Sequence, residues 1–521
     1  MNSTVVCNVI DRVRQAIPRL RSGLLFVLLT ATSVSAAEPI LAINEDNGHF
    51  FGYHKREEMN IRGLHKWVDQ YANGAVTHLF ICPNAMRATF RSKTREAIWD
   101  PVNGKTPQLK LPWPRHAKLL HDKGIDPYKV WIARCRKKRI KVFLSMRMND
   151  IHQAEDFNNY QHSSFWRKNV RFWRRPNHEH GSELNYAYKE VRQFQMAFVR
   201  ELLERYDPDG IELDWMRFPS NLTPGKAFQE RGILTQFVRE VRELTKNWSK
   251  KRGHKIELSV RAPAHPDAGP GRGMDAITWA RQGLVDIIVA SPFYFSTDFD
   301  IPFELWRKRL NGNKHKVTII GGVESTARPW LYGTPVGNSL ETLRGFASST
   351  FQRGSQGVYL FNWMSATKWP VPRKHYDFLL ARGLSKKVLT TLPRRYPVCF
   401  HDTVPKGFDS GTQLPAAAKP GKTFRLHLGP KPRSGKVWAI AGLPKRAGLA
   451  DAKFAAKLNG QPIQVVADLN STKELGGKSA RGIRFECPVN AVRSGYNQLE
   501  IRQISGKPQQ FVWVEIRIDP R

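Results

Sequence analysis

Between about residue 38 and residue 365, short aliphatic or β-branched runs recur, each closed by polar residues or Gly/Pro and each followed by a longer amphipathic stretch. The runs cover residues 40–44, 77–82, 141–146, 210–215, 255–261, 286–291, 317–321 and 357–362, and this texture predicts eight short strands. Helix signals fill the gaps. Asp126-Pro127 is an N-cap followed by proline at the first helical position. Val191, Phe194, Phe198, Leu202 and Tyr206 recur at three-to-four-residue spacing, one apolar helical face leading into the fourth run. Eight strand–helix alternations predict an α/β fold, a (β/α)8 TIM barrel with some long loops. A doubly wound open sheet is the weaker reading, because no G-x-G-x-x-G or G-x-x-x-x-G-K-[ST] follows the first strand.

After about residue 390 the period changes. Residues 415–420, two prolines around an alanine-rich run, read as a loop or linker. Beyond them Phe424/Leu426/Leu428 and Val512/Val514/Ile516/Ile518 alternate with polar residues, and Leu458-Asn459-Gly460 carries a hairpin signal. A small all-β sandwich is expected over 395–521, behind a barrel over 38–390.

Ahead of the barrel, four arginines among the first 22 residues precede an apolar run at 24–29 and end in Val34-Ser35-Ala36-Ala37. That order is expected to be a signal peptide over 1–36, cleaved after Ala36 or Ala37, giving a secreted or periplasmic protein with no membrane segment after cleavage. Cys82, Cys135, Cys399 and Cys487 then remain: chain order makes Cys82–Cys135 and Cys399–Cys487 the within-domain pairing, and buried free thiols are the other reading in a chain large enough to fold without a disulfide.

Composition changes the picture in one respect. The 521 residues carry 83 Lys+Arg against 45 Asp+Glu, a formal charge of +38. Residues 1–36 hold four Arg and one Asp, so the mature chain keeps +35 of it. Hydrophobic residues at 41% exclude a disordered polyelectrolyte. The charge therefore lies on folded surface and suits a polyanion of some kind.

Chemistry is expected where barrels place it, at the carboxy ends of the strands. In the fourth run Glu212 and Asp214 share the parity that faces the axis, with Asp214 nearer the mouth. Glu212 is expected to form an internal ion pair with Arg147 or Arg261, and Asp214 to be catalytic. Glu324 is the inward acid at the end of the seventh run. Strands four and seven lie nearly opposite, so Asp214 and Glu324 form a facing pair of the kind glycoside hydrolysis uses. A basic neighbour would hold one of them ionised and an apolar wall would hold the other protonated.

Other strand ends supply expected substrate contacts: Asp46, Arg147, Asn149, Asp150, Arg261 and Asn362, with Glu212 below them. Asn44, Glu45 and Asn84 are further polar residues there, and Asp46 and Asp150 are spare acids. Aromatics that suit sugar faces recur on the loops after the strands: Trp166, Trp173, Trp215, Phe293, Tyr294, Trp330, Tyr332, Trp363 and Trp369. Of these, Trp215, Tyr294 and Trp363 are expected to touch substrate. His178-Glu179-His180 lacks H-E-x-x-H spacing and reads as a loop cluster, so neither metal nor cofactor is expected.

Leu184-Asn185-Tyr186-Ala187-Tyr188-Lys189-Glu190-Val191-Arg192, with the later Glu201 to Asp214 stretch ending Tyr206-Asp207-Pro208-Asp209-Gly210-Ile211-Glu212-Leu213-Asp214, resembles the bacterial glycosyl-hydrolase-like barrels related to glycoside hydrolase family 10. The resemblance implies a TIM-barrel glycosidase with Asp214 as its functional acid. Its motif spans about thirty residues, and Trp215 stands where those barrels often have a second acid. In the larger clan the acid/base and the nucleophile sit at the ends of strands four and seven, usually as glutamates. That placement implies Asp214 as general acid and Glu324 as nucleophile or base.

The sequence thus predicts a secreted glycoside hydrolase acting on a poly- or oligosaccharide, with an anionic, sulfated or uronic polymer preferred on charge. A non-catalytic glycan-binding barrel is the first rival. A nucleic-acid-binding protein is the second, opposed by export and by the lack of a recognisable module.

Overall fold

The computed structural model describes residues 38–176, 181–364, 372–405 and 410–520. The expected signal peptide, the His178-Glu179-His180 cluster and Trp369 lie outside them. All eight expected strands form: β1 (Ile40–Glu45), β2 (His78–Ile81), β3 (Lys141–Arg147), β4 (Gly210–Asp214), β5 (Glu257–Pro263), β6 (Ile287–Ser291), β7 (Thr318–Val323) and β8 (Gly357–Leu360). Each pairs in parallel with the next and β8 closes on β1, giving a closed TIM barrel. The helix at Pro127–Lys138 starts where expected, with the Asp126 carboxylate accepting from the amides of Tyr128 and Lys129. In the helix Lys189–Arg205, Val191, Phe198 and Leu202 face the barrel and are buried.

Strand parity divides the interior into two levels. Ala42, Phe80, Phe143, Ile287, Val289, Ile320, Tyr359 and Phe361 make an apolar cluster along the axis. The polar inward residues of β3, β4 and β5 share register: Ser145, Glu212 and Ser259 form one row, and Arg147, Asp214 and Arg261 form the next row toward the mouth.

The carboxy-terminal part is an antiparallel sheet of eight strands: β9 (Arg394–Pro397), β10 (Lys422–His427), β11 (Lys436–Pro444), β12 (Lys453–Leu458), β13 (Gln461–Asp468), β14 (Ser479–Cys487), β15 (Tyr496–Ser505) and β16 (Trp513–Asp519). They run in the order β9-β16-β11-β14-β13-β12-β15-β10. The edge strands β9 and β10 come back into contact, so the sheet is a nearly closed, sandwich-like body. Asn459 and Gly460, both at positive φ, turn β12 into β13 as the Asn-Gly signal predicts.

The segment expected as a linker is instead packed. Ala416 and Ala417 pair with Phe511 and Gln510, and Leu414 and Ala418 are fully buried, because small alanines fit the close approach of a second backbone. The sheet leans on the helix Leu340–Gln352, where Gly345 brings that helix so close to the Arg395 carbonyl that a Cβ would lie 2.0 Å from it. Ile440, Leu475 and Trp513 of the sheet thereby join the core around the barrel, and the described residues from Pro39 onward form one compact unit. Cys82, Cys135, Cys399 and Cys487 are buried free thiols. Among the described residues no helix is long and apolar enough to cross a membrane.

Candidate active site

Deepest in the polar part of the barrel sits Glu212, fully buried. The expected ion pair with Arg147 or Arg261 does not form. Hydroxyls take its place: Ser145 Oγ and Tyr359 OH each donate to Oε1 at 2.7 Å, and Ser259 Oγ donates to Oε2 at 3.1 Å. Ser145 and Ser259 are its register neighbours, so they reach it at no cost in side-chain extension, while both arginines lie one row higher. Asn44 continues the network by donating to Tyr359 OH at 2.8 Å. Burial, and then the charge of Asp214, push Glu212 up to about 7 against the hydroxyl hydrogen bonds.

The sign of its effect on stability follows. A carboxyl whose folded-state pKa is raised from 4.5 to about 7 contributes stability that is fully present below 4.5 and lost as the pH rises through 7. Glu212→Gln is expected to keep the network and flatten that part of the stability–pH curve. Glu212→Ala leaves the hydroxyls without their acceptor and opens a cavity, and is expected to cost about 3 kcal/mol. Urea unfolding between pH 4.5 and 8 reads both.

One row higher, Asp214 is 2% exposed. Arg261 Nη1 donates to its Oδ2 at 2.8 Å and the Met216 amide donates to Oδ1 at 3.0 Å. Arg261 is itself fixed from three directions: the salt bridge, a hydrogen bond from Nε to Ser291 Oγ at 3.2 Å, and the Phe361 ring 3.7 Å below its guanidinium carbon. Gly322 makes this possible, since a Cβ there would meet Ser291 Oγ at 2.6 Å.

Glu324 follows β7 on the inward parity and is 3% exposed. Its carboxyl accepts from Asn362 Nδ2 at 3.1 Å and from the Ser325 amide at 3.3 Å. Asn362 reaches it from a left-handed backbone conformation (φ 61°) that asparagine adopts more readily than most residues. The Glu324 carbonyl is clamped by Thr297, Asn338 and the indole N–H of Trp363. Burial pushes this carboxyl up to about 7 against the opposing pull of Arg261 and the Asn362 hydrogen bond. Arg261 thus acts on both acids of the pair, bonded to Asp214 and felt by Glu324.

Across the mouth from β3 to β1 runs a ladder of charges. His152 Nδ1 meets Asp150 at 2.6 Å, Asp150 meets Arg147 at 2.5 Å, Arg147 meets Asp46 at 2.7 Å, and Asp46 meets Arg217. Burial alone would raise Asp46, but Arg147 and Arg217 outweigh it and hold the carboxyl well below its usual range. Arg147 and His152 do the same for Asp150. Arg147, Arg217 and Arg261, the arginines beside these acids among the described residues, are therefore each matched by a carboxylate.

The aromatic expectations divide. Phe293 and Tyr294 do line the rim, with Tyr294 44% exposed, and Phe218 lies 6.2 Å from Phe293. The Asp402 carboxylate, from the segment after β9, accepts from the amides of Phe293 and Tyr294 and so fixes that loop. Trp215 is not a substrate contact: it points outward into the helical layer, buried among Tyr186, Phe237 and Trp279. Trp363 is equally buried and serves the Glu324 backbone. Trp166 and Trp173 stack on each other at 4.3 Å, Trp330 packs on the sheet core, and Tyr332 is exposed. Asn149 is also withdrawn from substrate, since its amide bonds to Leu184, Ser220 and Asn221 and ties two loops together. Glu45 faces the helices and binds His49 and Tyr71, while the Asn84 side chain bonds the backbone of Ala85 and Arg147.

Arg217, Phe361, Phe218 and His152 complete the mouth without having been singled out from sequence. Phe361 continues the inward parity of Tyr359, and Arg217 lies three residues past Asp214; these are the signals by which the two could have been found.

No protein-family model matches the chain, and no curated protein matches it. Among solved structures, alpha-L-fucosidase isoenzyme 2 from Paenibacillus thiaminolyticus is similar at 12% identity and a TM-score of 0.40, over 68% of this chain and 49% of that one. This chain therefore spans about half the length of that fucosidase. The endo-beta-1,4-mannanase from Thermotoga petrophila is similar at 10% identity and a TM-score of 0.39, over 94% and 99%. A maltogenic alpha-amylase from Thermotoga neapolitana is similar at 10% and 0.37, over 91% and 98%. These structural neighbours are glycoside hydrolases, but at such identities and TM-scores the likeness carries no argument about the reaction.

Proposed function

We propose that the chain is a glycoside hydrolase acting on a poly- or oligosaccharide at the carboxy-terminal mouth of its barrel, with residues 1–36 exporting it. One observation carries the reading: two inward carboxyls on β4 and after β7 share one arginine yet sit in opposite surroundings. Glu324, buried and raised to about 7, is suited to hold a proton near neutrality and deliver it to a leaving glycosidic oxygen. Asp214, salt-bridged to Arg261, is suited to act as the carboxylate, either as nucleophile or as the base for a water. This is the reverse of the allocation that the family-10 resemblance implies, although it uses the same two positions.

Asp46 supports a second allocation for the carboxylate. It is the more open acid, with 22% of its side chain exposed, and its charge is held by two arginines. Phe293 and Tyr294 offer the ring faces on which a sugar would stack. Since the mouth's arginines are balanced, the sugar unit being cleaved is proposed to be uncharged, with any anionic character of the polymer read elsewhere.

A screen of neutral, uronic and sulfated polysaccharides for release of reducing ends tests the proposal. At least one glycan is expected to be hydrolysed, and Asp214→Asn and Asp46→Asn then show which carboxylate the rate depends on. Glycans that bind without being cleaved would favour the non-catalytic barrel.

A further inference from the structure

The three arginines beside the acids of the mouth are paired, and the densest unbalanced positive charge of the described chain lies elsewhere on the fold. Three segments account for a large share of it. Residues 134–141, 246–255 and 307–316 contain sixteen Lys and Arg and no Asp or Glu. Each leads into the amino end of an alternate barrel strand, β3, β5 or β7. In a parallel barrel those ends share one face, the one opposite the mouth.

The segments are contiguous there. Asp207 accepts from Arg136 and from His254, both at 2.8 Å, which joins the first to the second. Asp286 binds Lys255 at 2.7 Å while its carbonyl takes the Thr318 amide, and Arg281 donates to the Arg309 carbonyl, which joins the second to the third. A groove of about 420 Å³ opens between the first two segments, lined by Arg136, Lys141, His254 and Lys255 with Asp209 and Glu257. Its acids are occupied: Glu257 by Lys141 and Lys255, and Asp209 by the Val142 amide.

Helix ends do not account for such density. The helices Pro127–Lys138, Arg231–Arg252 and Phe303–Arg309 finish at this face, and a cation or two complements each helix terminus. Half of the sixteen, among them Lys137, Lys250, Lys251, Lys308 and Lys314, have no carboxylate within 4 Å among the described residues and are exposed.

We infer that the amino-terminal face of the barrel is a second, non-catalytic binding site for an anionic polysaccharide, one that holds the protein on a sulfated or carboxylated polymer while the mouth stays free. Naming a glycan as the occupant rests on the proposed function, whereas the site itself rests on the charge. Lysine ammonium and arginine forks both pair with sulfate and carboxylate. None of the exposed large hydrophobic residues of the described chain falls in these segments, and the half-buried Trp248 is covered by Lys251 and Arg252, so the segments lack the apolar anchors of a membrane-inserting surface. They also lack the exposed aromatic platforms of a single-strand nucleic-acid groove.

The test is binding of the full mature chain to immobilised dextran sulfate, with neutral dextran as reference and salt as the variable. The triple variant Lys137→Glu/Lys250→Glu/Lys314→Glu replaces three exposed side chains, one per segment. It is expected to bind about tenfold or more weakly and with a shallower dependence of log affinity on log salt, at an unchanged melting temperature. Arg217→Gln, at the mouth, is expected to bind as the parent does. The milder Lys251→Gln/Lys308→Gln/Lys316→Gln is expected to show a smaller loss, which guards against a folding defect in the charge reversal. Undiminished binding by both variants, or equal binding to neutral dextran, would overturn the site. Stronger competition by duplex DNA, or by vesicles of phosphatidylcholine and phosphatidylglycerol in equal parts, would overturn the choice of occupant. No turnover enters the readout, so a failed hydrolysis screen and a failed binding test remain distinguishable.

Discussion

Glu324→Gln is expected to lower kcat on a glycan that the wild type hydrolyses by about 10²–10⁴-fold, the range in which a positioned general acid contributes, with KM changed far less. The amide keeps the shape of the side chain and can still meet Asn362 and the Ser325 amide, which contact the carboxyl at 3.1 and 3.3 Å. What it removes is the proton held by burial. The loss should depend on the leaving group: large for a sugar alkoxide, and smaller for an activated aryl glycoside that departs without protonation. A variant that loses activity equally on both would point to misfolding or to a binding role. Single-turnover rates on the two substrate types, together with a melting curve, separate these cases.

Arg261→Ala is expected to be the most destabilising single change at the mouth, by about 3–5 kcal/mol, because it leaves the Asp214 charge buried without its partner. It also strips Ser291 of a donor and the Phe361 face of its cation. Adding Asp214→Asn is expected to recover part of the loss, since the orphaned charge disappears with it, and the coupling in that double-mutant cycle measures the pair. Arg261→Lys should fall between, as it keeps the charge but loses the fork that reaches Asp214 and Ser291 together. Urea denaturation at neutral pH reads the wild type, the three variants of the cycle and Arg261→Lys. Losses that simply add would mean that Asp214 finds another partner when Arg261 is gone, with Arg147, its other register neighbour, the nearest source.

The barrel was legible because a strand buried on both faces writes itself as an apolar run of four to seven residues, and eight of them alternate with helical periods. Parity then located Glu212, Asp214 and Glu324. The same parity sends Trp215 outward, and reading that residue as a sugar contact overlooked it. Trp363 and Asn149 lie past the strand ends, where the period of two no longer applies. Their partners, the Glu324 carbonyl and the loops at Leu184 and Asn221, come from distant parts of the chain. Pairing within the mouth was equally hidden. Arg147 and Arg261 both flank Asp214 in register, yet Arg147 turns away to Asp46 and Asp150, a choice made by a loop after β1 and another after β3. Glu212 shows the opposite case: aligning Ser145 and Ser259 beside it, both visible in the sequence, would have replaced the expected ion pair with hydroxyls. The charge of the chain was a number without an address until the strand order put residues 134–141, 246–255 and 307–316 on one face.

The central claim is that a buried Glu324, protonated near neutrality beside an Arg261-bound Asp214, performs glycosyl transfer to water. The pH dependence of kcat/KM on a responsive glycan tests it most directly, measured for the wild type, Glu324→Gln and Glu212→Gln. Wild type is predicted to lose activity about tenfold per pH unit above about 7, Glu212→Gln to keep that limb although Glu212 titrates in the same range, and Glu324→Gln to lack it at a low, flat rate. A limb near 7 that survives in Glu324→Gln would contradict the account.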